Sequence, residues 1–181
     1  NRWIVDPLDG TLNFLHGLPH FCISIALERD SEIYSGVTYD PLRDEMFWAE
    51  KGAGAFLNNN RLRVSSRQKV EDAVLATGLP PNRRNEIAKH TTETESISQY
   101  CAGIRRSGSA ALDLAYVAAG RLDGFWQDGL APWDMAAGMV LIREAGGLVG
   151  ELNGGNNMVE TGNLVAANSA LFDDLVGKLK A

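Results

Sequence analysis

The residues with the clearest chemical potential lie in Asp6-Pro7-Leu8-Asp9-Gly10-Thr11, directly after the apolar run Trp3-Ile4-Val5. The run reads as a buried strand, which puts Asp6 at its carboxyl end. Pro7 fixes its own φ and biases Asp6 toward an extended conformation. Gly10 then supplies a permissive backbone for a sharp turn. Such a turn points two carboxylates and one backbone carbonyl into the same space. Hard cations such as Mg²⁺ take oxygen ligands of this kind, together with water and substrate phosphate. Backbone N–H groups after Gly10 can hold a phosphate oxygen, with the Thr11 hydroxyl beside them to orient a water. The same residues also suit a solvated Asx turn capping a helix at Asn13-Phe14. Two aspartates and a glycine do not decide between these readings.

A second acidic position shifts the balance toward a site. In "PWDMAAGMVLIREAGG", Asp134 stands before an almost wholly apolar helix that Gly146-Gly147 close. That pattern is a buried helix. Asp134 suits its N-cap, and an aspartate at that end can equally reach into a site from beneath.

The elements that must position these groups follow two patterns. Phe21, Ile23, Ile25 and Leu27 alternate with smaller or polar residues, Glu28-Arg29-Asp30-Ser31 turns the chain, and Ile33 to Tyr39 is extended again. Pro41 breaks that run and Glu45 to Ala49 resumes it. "GAGAF" and Asn58-Asn59-Asn60 add a bend and another hairpin. Short turns between successive strands predict antiparallel pairing.

From about Val70 strands and helices alternate. Strand 73–77 leads through the proline-marked loop "GLPPNRRN" to a polar helix over 84–100. Strand 104–106, helix 110–119, strand 122–127 and helix 135–145 follow. Strands 148–151 and 164–167 and an amphipathic helix over 171–179 complete the chain.

The prediction is an α/β (α+β) layered sandwich: an antiparallel sheet in the first third, then a mixed, largely parallel sheet with covering helices. Residues 1–68 form the antiparallel part with the DPLDGT motif, and 69–181 the α/β part with the Trp133-Asp134 pair, packed as one unit. Trp48, Phe56 and Phe125 are expected in the core. Trp133 is read as packing that positions Asp134.

The chain has 181 residues, 45% hydrophobic and 22% charged, with 17 Lys+Arg against 23 Asp+Glu for a net charge of −6. That balance advertises no basic face, so direct nucleic-acid binding is not expected. A negative protein that binds phosphate needs a positive mediator, and metal ions are the obvious ones. Cys22 and Cys101 are read as buried free thiols of a reducing cytoplasm. No apolar run reaches the ~18 residues of a membrane span. His16 and His20 fall in the loop "LHGLPH", solvated or lining a site mouth, and neither they nor His90 have metal-ligand spacing. Asn82 to Asn85 read as a solvated loop.

These motifs together resemble the inositol monophosphatase family. "WIVDPLDGTLNFLHGLPHFCISIAL" and "PWDMAAGMVLIREAGG" carry the likeness, and "GAGAFLNN", "RRSGSAALDLAYVAAGRLDGFW" and "GNLVAAN" follow in the expected order. The resemblance implies a lithium-sensitive, Mg²⁺-dependent phosphatase. It implies that Asp6 bridges two metal ions, that the Leu8 carbonyl binds the first, and that Asp9 and Asp134 bind the second. The backbone of Gly10 and Thr11 would hold the phosphate, and Thr11, with Asp9, would serve the attacking water. Polyol contacts would come from Asp9, Asp134, Gly108-Ser109-Ala110 and Gln127, although Ser109 equally suits a plain N-cap. Family members acting on inositol phosphate usually carry glutamate where Gln127 stands. An amide donates as well as accepts and has no charge, so this departure bears on the inositol preference and not on phosphate hydrolysis.

Family members also carry an acidic motif upstream of the first strand, supplying a glutamate ligand and an acid paired with the threonine. The chain begins after that motif, so the expectation is a truncated protein that alone binds Mg²⁺ weakly and turns over slowly. The expected activity is hydrolysis of inositol 1-phosphate or a related polyol phosphate by a metal-activated water, in a cytoplasmic homodimer. Nucleotide 3′-phosphatase and fructose-1,6-bisphosphatase are the alternatives, with Asn13-Phe14 favouring the inositol branch. An alternative of another class is a protein-interaction role in transcription antitermination.

Overall fold

Strands β1 (Arg2–Asp9), β2 (Cys22–Arg29), β3 (Glu32–Asp40), β4 (Glu45–Glu50), β5 (Gly54–Leu57) and β6 (Asn60–Arg61) pair antiparallel in chain order, as the short turns require. They belong to a computed structural model that describes residues 1–79 and 87–180. The register sorts side chains by size. Ile4, Ala26, Gly36, Ala49 and Ala55 lie opposite one another across the sheet on one face. Val5, Ile25, Val37, Trp48 and Phe56 form the equivalent row on the other.

The row of small residues is a trough for helix α4 (Pro132–Glu144). A β-carbon on Gly36 would stand 2.7 Å from Ala137 Cα, so glycine is what allows the helix this close. On the helix's other side, a β-carbon on Gly138 would meet Leu114 Cβ at 2.5 Å, which brings α3 (Ala110–Ala118) equally near. Trp48 and Phe56 therefore do not enter the core as expected. They stack on each other at 4.5 Å on the opposite face, because strand alternation gives the inward positions to Phe47, Ala49 and Ala55. Phe125 is fully buried, as expected.

The second sheet has the order β10-β11-β9-β7-β8, built from β7 (Val74–Thr77), β8 (Gly103–Arg105), β9 (Gly124–Gln127), β10 (Gly147–Gly150) and β11 (Leu164–Asn168). It is mixed, as predicted. The pairings β7–β8 and β7–β9 are parallel; β11 runs antiparallel to both β9 and β10. The strands reached through α2 (Ile87–Ser98), α3 and α4 thus share one direction, and β11 alone runs back between two of them. Both faces of the three middle strands β11, β9 and β7 are covered, so these are apolar over most of their length. Ala76, Phe125, Leu164 and Ala166 face α3 and α4, while Leu75, Trp126, Val165 and Ala167 face α6 (Phe172–Lys180) and Ile97 of α2. The first sheet, α3 with α4, the second sheet, and α2 with α6 follow one another as layers.

Several boundaries differ from those expected. Helix α4 starts at Pro132, three residues early, because proline suits the first helical position. The short helices α1 (Thr11–Leu15) and α5 (Met158–Thr161) have too few residues to show periodicity. Residues 84–86 of the expected polar helix, and the Asn82–Asn85 loop, lie outside the described residues. Cys22 is buried, but Cys101 is only half-buried; both are free.

Candidate metal and phosphate site

Asp6 and Asp9 are three positions apart, which in a regular strand would send them to opposite faces. The pairing of β1 with β2 slips between them: Asp6 lies opposite Ser24 and Asp9 opposite Cys22, three residues against two. This bulge, at a proline that has no N–H to give, turns both carboxylates to one side. Asp6 Oδ1 accepts from Leu8 N at 2.9 Å, so the Asx turn also exists. Gly10, at φ 86°, then turns the chain into α1, and Thr11 Oγ1 donates to the Leu8 carbonyl at 2.8 Å. The Asx turn therefore exists but caps no helix, since α1 has Gly10 as its N-cap and no side-chain cap bond; the same turn brings the Asp6 and Asp9 oxygens together.

Asp9 is buried, and its Oδ2 accepts from Ser109 Oγ at 2.6 Å and from Ala111 N at 2.9 Å, at the amino end of α3. Burial pushes its pKa up to about 6; the Asp134 and Asp6 charges add to this, and the bonds from Ser109 and Ala111 oppose it. Ser109 is the N-cap of α3, its Oγ accepting from Leu112 N at 3.4 Å. Its hydroxyl is thus engaged with Asp9 and with the helix. Beneath them, Cys22 Sγ lies 3.6 Å from Ser109 Oγ, and burial raises the pKa of that thiol far above the usual range.

Asp134 is not the N-cap of α4. With Pro132 in the first helical position, the cap is Ala131 and Asp134 stands in the first turn, its Oδ2 accepting from Ala131 N at 2.8 Å. Burial, then the Asp6 charge, raises its pKa, while the Ala131 bond lowers it. Asp6, Asp9 and Asp134 each present one carboxylate oxygen, all within 4.8 Å of one another.

Every residue named from the sequence for metal, phosphate or polyol lines one cleft of about 640 Å³. No Lys, Arg or His lines it among the described residues. Three crowded carboxylates beside a backbone carbonyl, with the pKa of Asp9 and of Asp134 raised and no cationic side chain, fit a hard cation such as Mg²⁺. Gln127 is buried in the wall against Gly78.

Trp133 is half exposed at the cleft and does not pack under Asp134; its main-chain carbonyl, accepting from Ser24 Oγ at 3.1 Å, ties α4 to β2. Sequence reasoning missed Gly78 and Asp113. For Asp113 the signal was present: a lone carboxylate in the otherwise apolar stretch of α3. His16 is exposed, whereas His20 lies 3.6 Å from Asp113.

A layered α/β sandwich that gathers three carboxylates at a bulged strand end defines the class of protein. The chain belongs to the inositol monophosphatase family, whose sequence profile matches residues 1–181. It is 56% identical over 168 residues to the inositol-1-monophosphatase of Rhizobium meliloti, covering 93% of this chain and 63% of that protein. It is 49% identical over 176 residues to Nus factor SuhB of Pseudomonas aeruginosa, covering 96% of this chain and 65% of that one. The crystal structure of extragenic suppressor protein suhB from Bartonella henselae superimposes with a TM-score of 0.95 at 52% identity, over 99% of this chain and 69% of the other. The chain spans about two thirds of the length of these relatives.

Proposed function

We propose that this chain takes part in Mg²⁺-dependent hydrolysis of a phosphate monoester of inositol, inositol 1-phosphate, or of a related polyol. The observation that carries the proposal is the convergence of the Asp6, Asp9 and Asp134 carboxylates in one cleft. The inositol-1-monophosphatase name of the R. meliloti relative supports the substrate class. Bound Mg²⁺ supplies positive charge for the phosphoryl oxygens and lowers the pKa of a bound water. Asp6, Asp9, Asp134 and the Leu8 carbonyl hold the cation. Thr11, whose hydroxyl bonds the Leu8 carbonyl, orients the water from the exposed side of the turn. The Gly10 and Thr11 backbone receives the phosphate, and Gln127 offers its amide to polyol hydroxyls. Ser109 and Ala111 act through Asp9 by fixing its carboxylate. The protein works as a homodimer in the cytoplasm. No described helix is long and apolar enough to cross a membrane.

Phosphate release from inositol 1-phosphate, 3′-phosphoadenosine 5′-phosphate and fructose 1,6-bisphosphate, each with and without Mg²⁺, tests the proposal. Preferential, Mg²⁺-dependent release from inositol 1-phosphate is expected; preference for either of the others moves the protein to another branch. A second reading, a protein-interaction role in transcription antitermination, is supported by the Nus factor name of the P. aeruginosa relative. Co-purification with RNA polymerase would support that role, and its absence would leave the phosphatase alone.

A further inference from the structure

One buried polar pair has no part in the reading above. Asp113, in the first turn of α3, is 2% exposed, and its Oδ1 has no hydrogen-bond partner among the described residues. His20 Nε2 is likewise buried without a partner, and it lies 3.6 Å from that oxygen. Either group is costly to bury alone. An approach of a few tenths of an ångström would bring the two within hydrogen-bonding distance. Burial raises the Asp113 pKa, and His20 and Ser107 pull it down.

The main chain of His20 is held just as firmly. Its carbonyl accepts from Asn13 Nδ2 at 2.7 Å, and the same nitrogen donates to the Ser107 carbonyl at 2.8 Å. A β-carbon on Gly10 would stand 2.9 Å from the His20 carbonyl, so that carbonyl presses directly on the metal turn. His20 thus has its backbone against the turn that carries Asp9 and its imidazole against the helix whose amino end binds Asp9. The imidazole also meets the Tyr116 ring edge-on at 5.9 Å. The charges of Arg43, Asp40, Arg121 and Glu45 are gathered around Tyr116.

We propose that His20, donating from Nε2 to Asp113, is a positioning residue that fixes the metal turn against α3 and thereby sets the affinity for the cation. The proposal rests on the Mg²⁺ site proposed above. His20 touches neither cation nor substrate; it acts by keeping Asp9 on the amino end of α3.

The test is calorimetric titration of the purified protein with Mg²⁺ alone, with kcat and KM for inositol 1-phosphate measured at saturating Mg²⁺. His20→Ala is expected to weaken Mg²⁺ binding roughly tenfold, the scale seen when an outer partner of a metal ligand is lost. kcat at saturating Mg²⁺ should change far less. His20→Gln, whose amide nitrogen reaches the place of Nε2, should restore most of the affinity. Asp113→Leu keeps α3 apolar and helical and should lose affinity to the same degree, so the test stands even where the alanine variant does not fold. The double variant should lose no more than either single one. Unchanged Mg²⁺ binding in His20→Ala and Asp113→Leu, equal weakness in His20→Gln, or additive losses in the double variant each overturn the proposal. Wild-type protein that binds no Mg²⁺ overturns the cation site itself.

Discussion

Ser109 Oγ donates to Asp9 Oδ2 at 2.6 Å, joining residues a hundred positions apart. The bond ties the turn after β1 to the amino end of α3, so the proposed cation site depends on how the first sheet docks on the middle helices. Ser109→Ala removes this bond and the cap of α3 together. A hydrogen bond to a charged group contributes ~1.5–3 kcal/mol and an N-cap ~1 kcal/mol. Urea denaturation is expected to show a loss of about 2.5–4 kcal/mol. Because the hydroxyl is engaged with Asp9, the Mg²⁺ requirement for activity should rise more than KM for the polyol. A rise in KM alone would make Ser109 a substrate contact.

Asp134→Asn separates the structural role of this residue from its chemical one. The amide oxygen can still accept from Ala131 N, so the start of α4 keeps its bond; stability should not fall, and near neutral pH without cation it should rise, because a carboxylate disfavoured by burial and by the Asp6 charge is gone. The negative charge is lost, and with it one proposed cation ligand. Activity is expected to fall by at least about a hundredfold, with Mg²⁺ binding weakened by a similar factor. Thermal melts and calorimetry on the same sample distinguish this from misfolding. A variant that remains active contradicts Asp134 as a ligand.

The pH dependence of stability should carry the mark of Asp9. Its folded pKa, about 6, lies above the unfolded value of 3.8, so the folded state resists losing this proton. Stability from this group is therefore present below the unfolded value and is lost as pH rises through about 6, by about 3 kcal/mol. Asp134 is shifted in the same direction. With a chelator present, the contribution of Asp9 to the melting temperature should fall as pH rises from about 4 to just above 6. Mg²⁺ takes the place of the proton, so its stabilising effect should grow over the same interval. A melting temperature that stays flat, or rises, with chelator present would show that Asp9 is not held in this way.

The sequence announced the converging carboxylates more clearly than the way they are held. Asp6, Asp9 and Asp134 stand out because carboxylates beside glycine or proline interrupt strong apolar patterns. The bulge that turns Asp6 and Asp9 to one side was not legible, since strand periodicity alone separates them. Small residues at positions 26, 36, 49 and 55 reveal the trough for α4 only once the register aligns them. Position 134 looked like a cap because an aspartate before an apolar run usually is one. Pro132 started the helix earlier and made Asp134 reach back instead. The outward placement of Trp48 and Phe56 has the same origin: size and hydropathy argue for burial, but the strand's parity decides which face a side chain takes.

Gly78 and Gln127 allow the proposed polyol contact to be tested apart from the chemistry. A β-carbon on Gly78 would lie 2.3 Å from Gln127 Oε1 and 3.0 Å from its Cδ. Gly78→Ala therefore displaces the amide without touching Asp6, Asp9 or Asp134. If Gln127 bonds a ring hydroxyl, KM for inositol 1-phosphate should rise by roughly two- to tenfold, the worth of one neutral hydrogen bond. Hydrolysis of p-nitrophenyl phosphate, which has no polyol hydroxyl to offer, should be unchanged in the same variant. Equal loss on both substrates would place the effect in the metal turn, and no loss on either would remove Gln127 from substrate recognition.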